Sequence, residues 1–348
     1  MIATCAPLIA AVRTNCHISD ARHAREMTMC TYLLEMRELF RWERGLPLGA
    51  PVPQHDVGAW MTEREALWVQ LEDAPHVPLP LPDRAVDPYA VDDANRALSP
   101  HGLVYGAGIG RFGKPQFFVA ELARTERRDG LTVLVAGREY ARDLSAAPAA
   151  SRGGTIYVRL ESLQRWLWER AEAWLSKCNE GALKAALDGY GFAEDRHAAI
   201  ARMAEAEAET LILHEIGEGR AGALLGPEWE RMLAGLARRR TELFVRAVRD
   251  HLADCLVTLP ALLDRGAGPS LHFWFANLQG LRLQLFPRIG HAYARWCASE
   301  DAPLRAAIAD GAEHWQRVAR GALALHARAE SAAEDALDAL AADPHTAF

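Results

Sequence analysis

The chain has 348 residues, of which 50% are apolar and 24% are charged, a balance typical of a soluble globular protein. Its net charge of −7 argues against a general affinity for nucleic acid or for an anionic membrane surface. The 6 cysteines form no Cys-x-x-Cys pair, and no apolar run approaches the roughly 18 residues that span a bilayer, so we expect a cytoplasmic protein with reduced thiols.

The first hundred residues predict helices followed by an extended connection. Ser19 is a good N-cap, and the helix that it opens is expected to run to about Arg44 and to end at Gly45. A shorter helix is expected over residues 63–72. Residues 75–100 are rich in proline and aspartate, which indicates an extended surface segment interrupted by one helical turn near residues 91–98. We treat residues 1–100 as one segment of the chain.

Residues 101–160 predict a small antiparallel sheet. Strands are expected over 103–112, 116–124 and 131–138, with a plausible fourth over 155–160, because these stretches are rich in Val, Phe, Tyr and Leu. Residues 112–115 and 127–130 have the composition of hairpin turns. Strands joined by tight turns pair antiparallel, so we expect a β-meander of three to four strands.

Residues 161–348 predict almost continuous helix. The helical stretches are about 161–188, 194–225, 228–258, 270–285, 288–299 and 303–342, and the breaks between them contain Gly or Pro. Such short loops suit antiparallel neighbours in a bundle. The predicted fold is therefore α-rich α+β, a helical bundle with a small antiparallel β-meander, and the N-terminal helix can pack into the same compact domain.

The strongest candidate site lies in the predicted helix around residues 198–225. Glu207, His214 and Glu218 interrupt an apolar stripe of this helix, and their spacing places all three on one face. A charge buried on an apolar face is costly unless it is paired or bound to a metal. Facing helices provide such ligands to iron, manganese or zinc, so we predict a metal site here.

Glu215 gives the same stretch a second interpretation. His214, Glu215 and Glu218 follow the pattern of a His-Glu-x-x-His zinc-hydrolase motif in which glutamate replaces the last ligand. In that interpretation Glu215 is the general base. The changed ligand makes the hydrolase version weaker, and a carboxylate-rich ligand set suits iron or manganese better than a structural zinc.

Further ligands would have to come from another helix, and Asp250 and Asp254 are the candidates. They share a face opposite the apolar stripe of their helix. The pattern favours a solvated face, as in a peripheral helix, whereas in a central helix the same face could meet the 198–225 helix. The competing interpretation of all these acids is a buried ion network with arginines such as Arg202, Arg246 or Arg282.

A second and weaker cluster contains Cys16, His17, Asp20 and His23. Cys16 and His17 are expected just before a helix, and a thiol near a helix N-terminus can have a lowered pKa and act as a nucleophile or metal ligand. The alternative is a capped helix start with ordinary cysteines.

Residues 108–114 fit Gly-x-x-x-x-Gly-Lys, but Pro115 replaces the Ser or Thr of a phosphate loop and a strand follows. We expect no nucleotide cofactor. The alternate glycines leave one face of the strand bare, so that another backbone or a ligand can approach closely.

Two functional hypotheses follow. The first is a metal-dependent enzyme that acts on a small molecule, with oxidative chemistry if the metal is iron and hydrolysis if it is a single zinc. The alternative is a non-catalytic, α-rich scaffold or partner-binding protein with a buried Arg–carboxylate–His network.

Overall fold

The computed structural model describes residues 5–110, 113–177, 179–329 and 332–348. The chain forms two compact units, Met1–Glu172 and Ala173–Phe348. The segments 1–100 and 101–160 both belong to the first unit. Within the described residues, no helix is both long and apolar enough to cross a membrane.

The helices of the N-terminal unit differ from prediction at their start. They are α1 (Ala6–His23), α2 (Met29–Glu43), α3 (Gln54–Leu71), α4 (Val91–Leu98) and α5 (Leu160–Leu175). The single helix predicted from Ser19 to Arg44 is wrong, because the chain breaks after His23 and α2 starts at a new N-cap. Thr28 provides that cap by accepting a hydrogen bond from the backbone N–H of Thr31. Ser19 lies inside α1, where its hydroxyl donates to the carbonyl of Pro115.

The sheet of this unit is larger than the predicted meander. A short antiparallel pair, β1 (Leu79–Pro80) and β2 (Ala85–Val86), precedes the main strands. These are β3 (Leu103–Ile109), β4 (Pro115–Arg128), β5 (Leu131–Arg142), β6 (Ala149–Arg152) and β7 (Thr155–Arg159). Their order is β3-β4-β5-β7-β6, and β7 pairs parallel with β5. The antiparallel pairing predicted for the first three strands is confirmed in β3, β4 and β5. The predicted number of three to four strands is wrong, and so is the antiparallel direction for the strand over 155–160, because β7 pairs parallel with β5.

Two tight turns explain how the sheet is connected. At the β4–β5 turn, Asp129 and Gly130 have φ angles of 49° and 80°, as a two-residue type I′ hairpin requires. This confirms the turn predicted over residues 127–130. Gly153 and Gly154, with φ angles of 56° and 79°, form the same kind of turn between β6 and β7. Because β6 is the outer strand of that hairpin, β7 is left beside β5.

Helix α1 packs on the sheet and builds the core of the unit. Leu8, Val12 and Cys16 share one buried cluster with residues of β3 and β4, including Val104, Phe117 and Val119. A strand that alternates inward and outward residues buries such a face against a helix.

Helices are the only regular secondary structure in the described residues of the C-terminal unit, but they are unequal in length, so the helical bundle that was predicted is not matched. They are α6 (Ala182–Gly189), α7 (Arg196–Leu225), α8 (Pro227–Gly235), α9 (Arg239–Ala253), α10 (Leu259–Asp264), α11 (Gly268–Asn277), α12 (Gly280–Leu285), α13 (Pro287–Cys297), α14 (Asp301–Ala329) and α15 (Ala333–Ala342).

A π-helical turn, Asp254–Thr258, joins α9 to α10 without a loop. Pro260 explains this widening, because proline lacks an N–H and its ring collides with the carbonyl four residues earlier. The turn begins at Asp254, one of the predicted ligands.

Candidate functional site

The candidate site forms where α7 crosses α9 at close range. Gly217 of α7 is buried against the backbone of Ala253, and a Cβ placed on Gly217 would lie 2.5 Å from the Ala253 carbonyl oxygen. Only glycine therefore permits this approach. The contact brings together the side chains of α7 and α9 that lie within about one helical turn of it.

His214 and Asp254 form the centre of the site. The imidazole Nδ1 of His214 lies 2.8 Å from Oδ1 of Asp254, whose side chain is only 1% exposed. The other ring nitrogen, Nε2, lies 3.5 Å from Oε1 of Glu218, one helical turn along α7. His214 therefore bridges the two helices.

Asp250 completes a group of three potential metal ligands. Ligand atoms of His214, Glu218 and Asp250 all lie within 4.8 Å of one another, and all three residues are partly exposed. The expectation that Asp250 and Asp254 lie on a solvated face is therefore wrong. Asp254 is buried, and this face of the helix meets α7. The cause is that α9 is a central helix, which also packs against α14 and α12.

Two arginines neutralise part of this acidic group. Arg249 Nη2 lies 2.7 Å from Oε1 of Glu218, and Arg282 Nη2 lies 2.6 Å from Oδ2 of Asp254. Arg282 is one of the arginines predicted to compete with a metal for the acids. The other two are engaged elsewhere, Arg202 with the carbonyl of Tyr190 and Arg246 with Glu242.

The protonation of the group follows from these contacts. Burial disfavours a charged imidazole, but Asp254, Glu218 and Asp250 outweigh it and raise the pKa of His214 well above its usual value. Burial also opposes the charge of Glu218, yet His214 and Arg249 lower its pKa to about 2. Burial is the main cause that raises the pKa of Asp250. A proton on His214 is therefore favoured when no metal is bound.

Glu207 does not join this group, because it lies two turns earlier on α7. Its carboxylate accepts a hydrogen bond of 2.9 Å from the Tyr190 hydroxyl, which in turn lies 2.8 Å from the hydroxyl of Ser270. The side chain is 3% exposed, and burial raises its pKa to about 7. Glu207 is thus held by hydroxyl groups, without a cation in the described surroundings.

Glu215 is partly exposed and is not among the residues that converge. It follows His214 directly, and successive helical side chains point about 100° apart. The predicted general base is therefore not part of the group formed by His214, Glu218 and Asp250.

The second predicted cluster does not converge on one point, because its members contact different partners. These members are Cys16, His17, Asp20 and His23. Since α1 begins at Ala6, Cys16 lies well inside the helix and not before its N-terminus. The structure gives each of the four its own contact: Cys16 Sγ with the Phe117 carbonyl, His17 with Arg64, Asp20 with Lys114, and His23 with Glu26.

The electrostatics of this helix also differ from prediction. Burial raises the pKa of Cys16 far above its usual value, which is opposite to what a nucleophile requires. Burial and the charge of Arg64 lower the pKa of His17 to about 3. Lys114, the lysine of the Gly-x-x-x-x-Gly-Lys stretch, is buried with its Nζ 2.8 Å from Asp20. Arg111 and Phe112 of that stretch lie outside the described residues.

Sequence reasoning missed Gly217 and Arg249. A glycine in the middle of a helix costs about 1 kcal/mol relative to alanine, so an interior glycine next to His214 signals a packing requirement. Arg249 carried no such signal, because a single arginine beside an acid is common on any helix surface.

Comparison with known proteins gives the family. The C-terminal domain of the family of unknown function (DUF6866) matches residues 164–344, and its N-terminal domain matches residues 7–159. The chain therefore belongs to this family. No curated protein and no solved structure matches it.

Proposed function

We propose that this member of the family of unknown function (DUF6866) binds one divalent metal ion through His214, Glu218 and Asp250, and that it is a metal-dependent enzyme. The observation that carries the proposal is the 2.8 Å contact between Asp254 and Nδ1 of His214. A carboxylate behind a histidine fixes its tautomer and orients its second nitrogen toward a metal.

The orientation of His214 supports this assignment. With Nδ1–H donated to Asp254, the neutral ring presents the lone pair of Nε2 to the space shared with Glu218 and Asp250. Ligand atoms bound to one ion at about 2.1 Å lie up to roughly 4.2 Å apart. Because the three groups are already within 4.8 Å, small side-chain rotations suffice to close the ligand set.

The chemical class follows from the number and kind of ligands. Three protein ligands leave coordination positions open, which is the pattern of catalytic sites, and the partial exposure of all three residues gives water and a small substrate access. One imidazole and two carboxylates suit iron or manganese. With iron bound, the ion supplies oxidative chemistry, while the chain orients the ligands and excludes water from Asp254.

The charges of the group fit a cation in this place. Glu218, Asp250 and Asp254 supply three negative charges when ionised, while Arg249 and Arg282 supply two positive charges. One negative charge remains, and a proton on His214 balances it when no metal is bound. A metal ion would displace that proton, as is usual for metal binding.

A second candidate function is a scaffold in which the same residues form a closed ion network. The contacts of Arg249 with Glu218 and of Arg282 with Asp254 favour it, because each arginine occupies an oxygen of the acidic group. In that case the protonated His214 is the permanent partner of the acids. The two functions differ in whether a metal replaces this proton.

Elemental analysis of the full chain tests the proposal directly. The protein is purified without a metal-affinity step, reconstituted anaerobically with Fe²⁺, Mn²⁺ or Zn²⁺ in turn, and freed of excess metal by gel filtration. We expect about one Fe²⁺ or Mn²⁺ per chain, and loss of this metal in His214→Ala and Asp250→Asn. His197→Ala is the matched control, because His197 is an exposed histidine in the first turn of the same helix.

Electron paramagnetic resonance of Mn²⁺ gives a second measurement that does not depend on activity. The free-ion signal should fall in proportion to wild-type protein and persist with His214→Ala. Absence of stoichiometric metal after all three reconstitutions, or equal binding by wild type and His214→Ala, would overturn the proposal in favour of the scaffold.

A further inference from the structure

The five-stranded sheet of the N-terminal unit curls until its two edge strands, β3 and β6, come close together. Arg152 of β6 spans the gap, since its Nη1 lies 2.5 Å from the carbonyl oxygen of Ala107 in β3. Asn95 of α4 forms hydrogen bonds with both the N–H and the carbonyl group of Tyr105, which also lies in β3. These side chains occupy the free edge of β3, so the gap is not open to another strand.

A cavity of about 440 Å³ lies in this gap, within the range of small-molecule sites. Its lining includes Gly106, Gly108 and Gly110, which alternate along β3 and therefore share one face of the strand. A Cβ on Gly106 would collide with the ring of Phe118, whereas a Cβ on Gly108 would have no atom within 4 Å. The side chain of Gln116 covers Gly110 in the same way, so the floor of the cavity is open above Gly108.

Aromatic and small apolar side chains form the walls. Phe118 and Tyr157 are buried and stand edge to face with their ring centres 6.2 Å apart. The guanidinium of Arg159 lies 4.4 Å from the centre of the Phe118 ring and binds Glu139 through two hydrogen bonds of 2.8 and 3.0 Å. The charge of Arg159 is therefore already balanced.

Arg152, by contrast, carries a charge without a carboxylate partner in the described part of the chain. It donates only to carbonyl oxygens, those of Ala107 and Tyr89. Asp92 and Asp93 line an adjoining cavity together with Arg152, but no ion pair joins either of them to Arg152 within the described residues. Asp93 is paired with Arg84 and Arg96 instead. A cation bonded only to neutral acceptors keeps its attraction for an anion.

We propose that this cavity binds a small molecule with an apolar body and one carboxylate. The apolar body lies above Gly108 and against the aromatic side chains, and the carboxylate meets the Arg152 guanidinium at the exposed rim. The residues are separate from those of the metal site, so the proposal does not rest on the proposed function.

Fluorescence titration of the full chain tests this site. The probe is 1-anilinonaphthalene-8-sulfonate, an aromatic anion whose emission rises in apolar surroundings, and the competitors are decanoate and its neutral analogue decanol. We expect saturable binding at one site per chain. Decanoate should displace the probe at a concentration at least about tenfold lower than decanol does, since a hydrogen bond to a charged group exceeds a neutral one.

Three variants locate the binding. Gly108→Leu fills the floor and should weaken the probe and decanoate by about tenfold or more, while Gly137→Ala, which adds a side chain to β5 outside the lining, should leave both unchanged. Arg152→Gln should weaken decanoate by about tenfold and leave decanol unchanged, and Arg152→Lys should keep most of the preference for the anion. Near-ultraviolet circular dichroism and the Tm show whether each variant folds.

The outcomes are distinct. Lack of saturable binding would overturn the proposal, as would equal affinity of folded Gly108→Leu and wild type, because the site would then lie elsewhere. Equal displacement by decanoate and decanol would overturn the assignment of a carboxylate. If Gly108→Leu fails to fold, the comparison of Arg152→Gln with Arg152→Lys decides alone.

Discussion

Gly217→Ala is expected to separate α7 from α9 and thereby to weaken the whole candidate site. The new Cβ would lie 2.5 Å from the carbonyl oxygen of Ala253 and 3.0 Å from its carbonyl carbon. Ordinary contact begins at 3.4 Å, so the helices must move apart by 3.4 − 2.5, or 0.9 Å. The neighbouring atoms are backbone, which cannot rotate away as the end of a side chain can.

The magnitude follows from two opposed terms. Overpacking in a core costs about 1–3 kcal/mol, whereas alanine in place of glycine gains about 0.5–1 kcal/mol in a helix interior. We expect a net loss of about 1–2 kcal/mol in the free energy of unfolding. Gly222→Ala is the matched control, because Gly222 lies in the same helix with no atom near its Cβ and should gain about 0.5–1 kcal/mol.

Urea unfolding of the full chain measures the difference, with tryptophan fluorescence and circular dichroism recorded on the same samples to separate the transitions of the two units. Mn²⁺ binding to both variants then shows whether the 0.9 Å displacement reaches His214 and Asp250. If Gly217→Ala proves as stable as Gly222→Ala, the close approach of α7 and α9 is not the constraint that we infer.

Three further outcomes are expected. Burial raises the pKa of Glu207 to about 7 in the folded chain, against an ordinary value of 4.5. Its contribution to stability is therefore full below pH 4.5 and is lost as the pH rises through 7. In urea titrations, the free energy of unfolding of wild type should fall by about 3 kcal/mol relative to Glu207→Gln between pH 4.5 and 8. Asp254→Asn should weaken Mn²⁺ binding about 10–100-fold, as measured by paramagnetic resonance, because His214 loses its orienting carboxylate. Lys114→Met leaves Asp20 buried and unpaired, and should cost about 3–5 kcal/mol in the free energy of unfolding.

Each of these outcomes has a contrary result. A constant difference between wild type and Glu207→Gln across this pH range would mean that the carboxyl is ionised in the fold. Unchanged Mn²⁺ affinity in Asp254→Asn would remove Asp254 from the support of His214. For Lys114, adding Asp20→Asn should recover most of the lost stability, and no recovery would show that the ammonium does not act through that carboxylate.

The sequence by itself determined part of the local structure of this protein. The Asp129-Gly130 turn is encoded by two residues that tolerate positive φ, and the helix predicted over 194–225 is α7, which ends before Gly226 and Pro227. The continuous helices predicted over 161–188, 228–258 and 270–285 are each divided in two. The spacing of His214 and Glu218 placed both on one face of α7, because helical geometry is local.

Only the tertiary structure decided which residues meet. Glu207 lies on the same stripe of α7 as His214, yet it contacts Tyr190 and Ser270. Residues two turns apart on this helix face different neighbouring elements. Asp250 and Asp254 reach α7 because Gly217 lets the helices touch, a contact between positions 36 residues apart along the chain (253 − 217). The parallel pairing of β5 with β7 and the cavity beside Arg152 likewise depend on distant strands that curl toward each other. Periodicity fixes the direction of a side chain, whereas its partner is fixed by how whole elements pack.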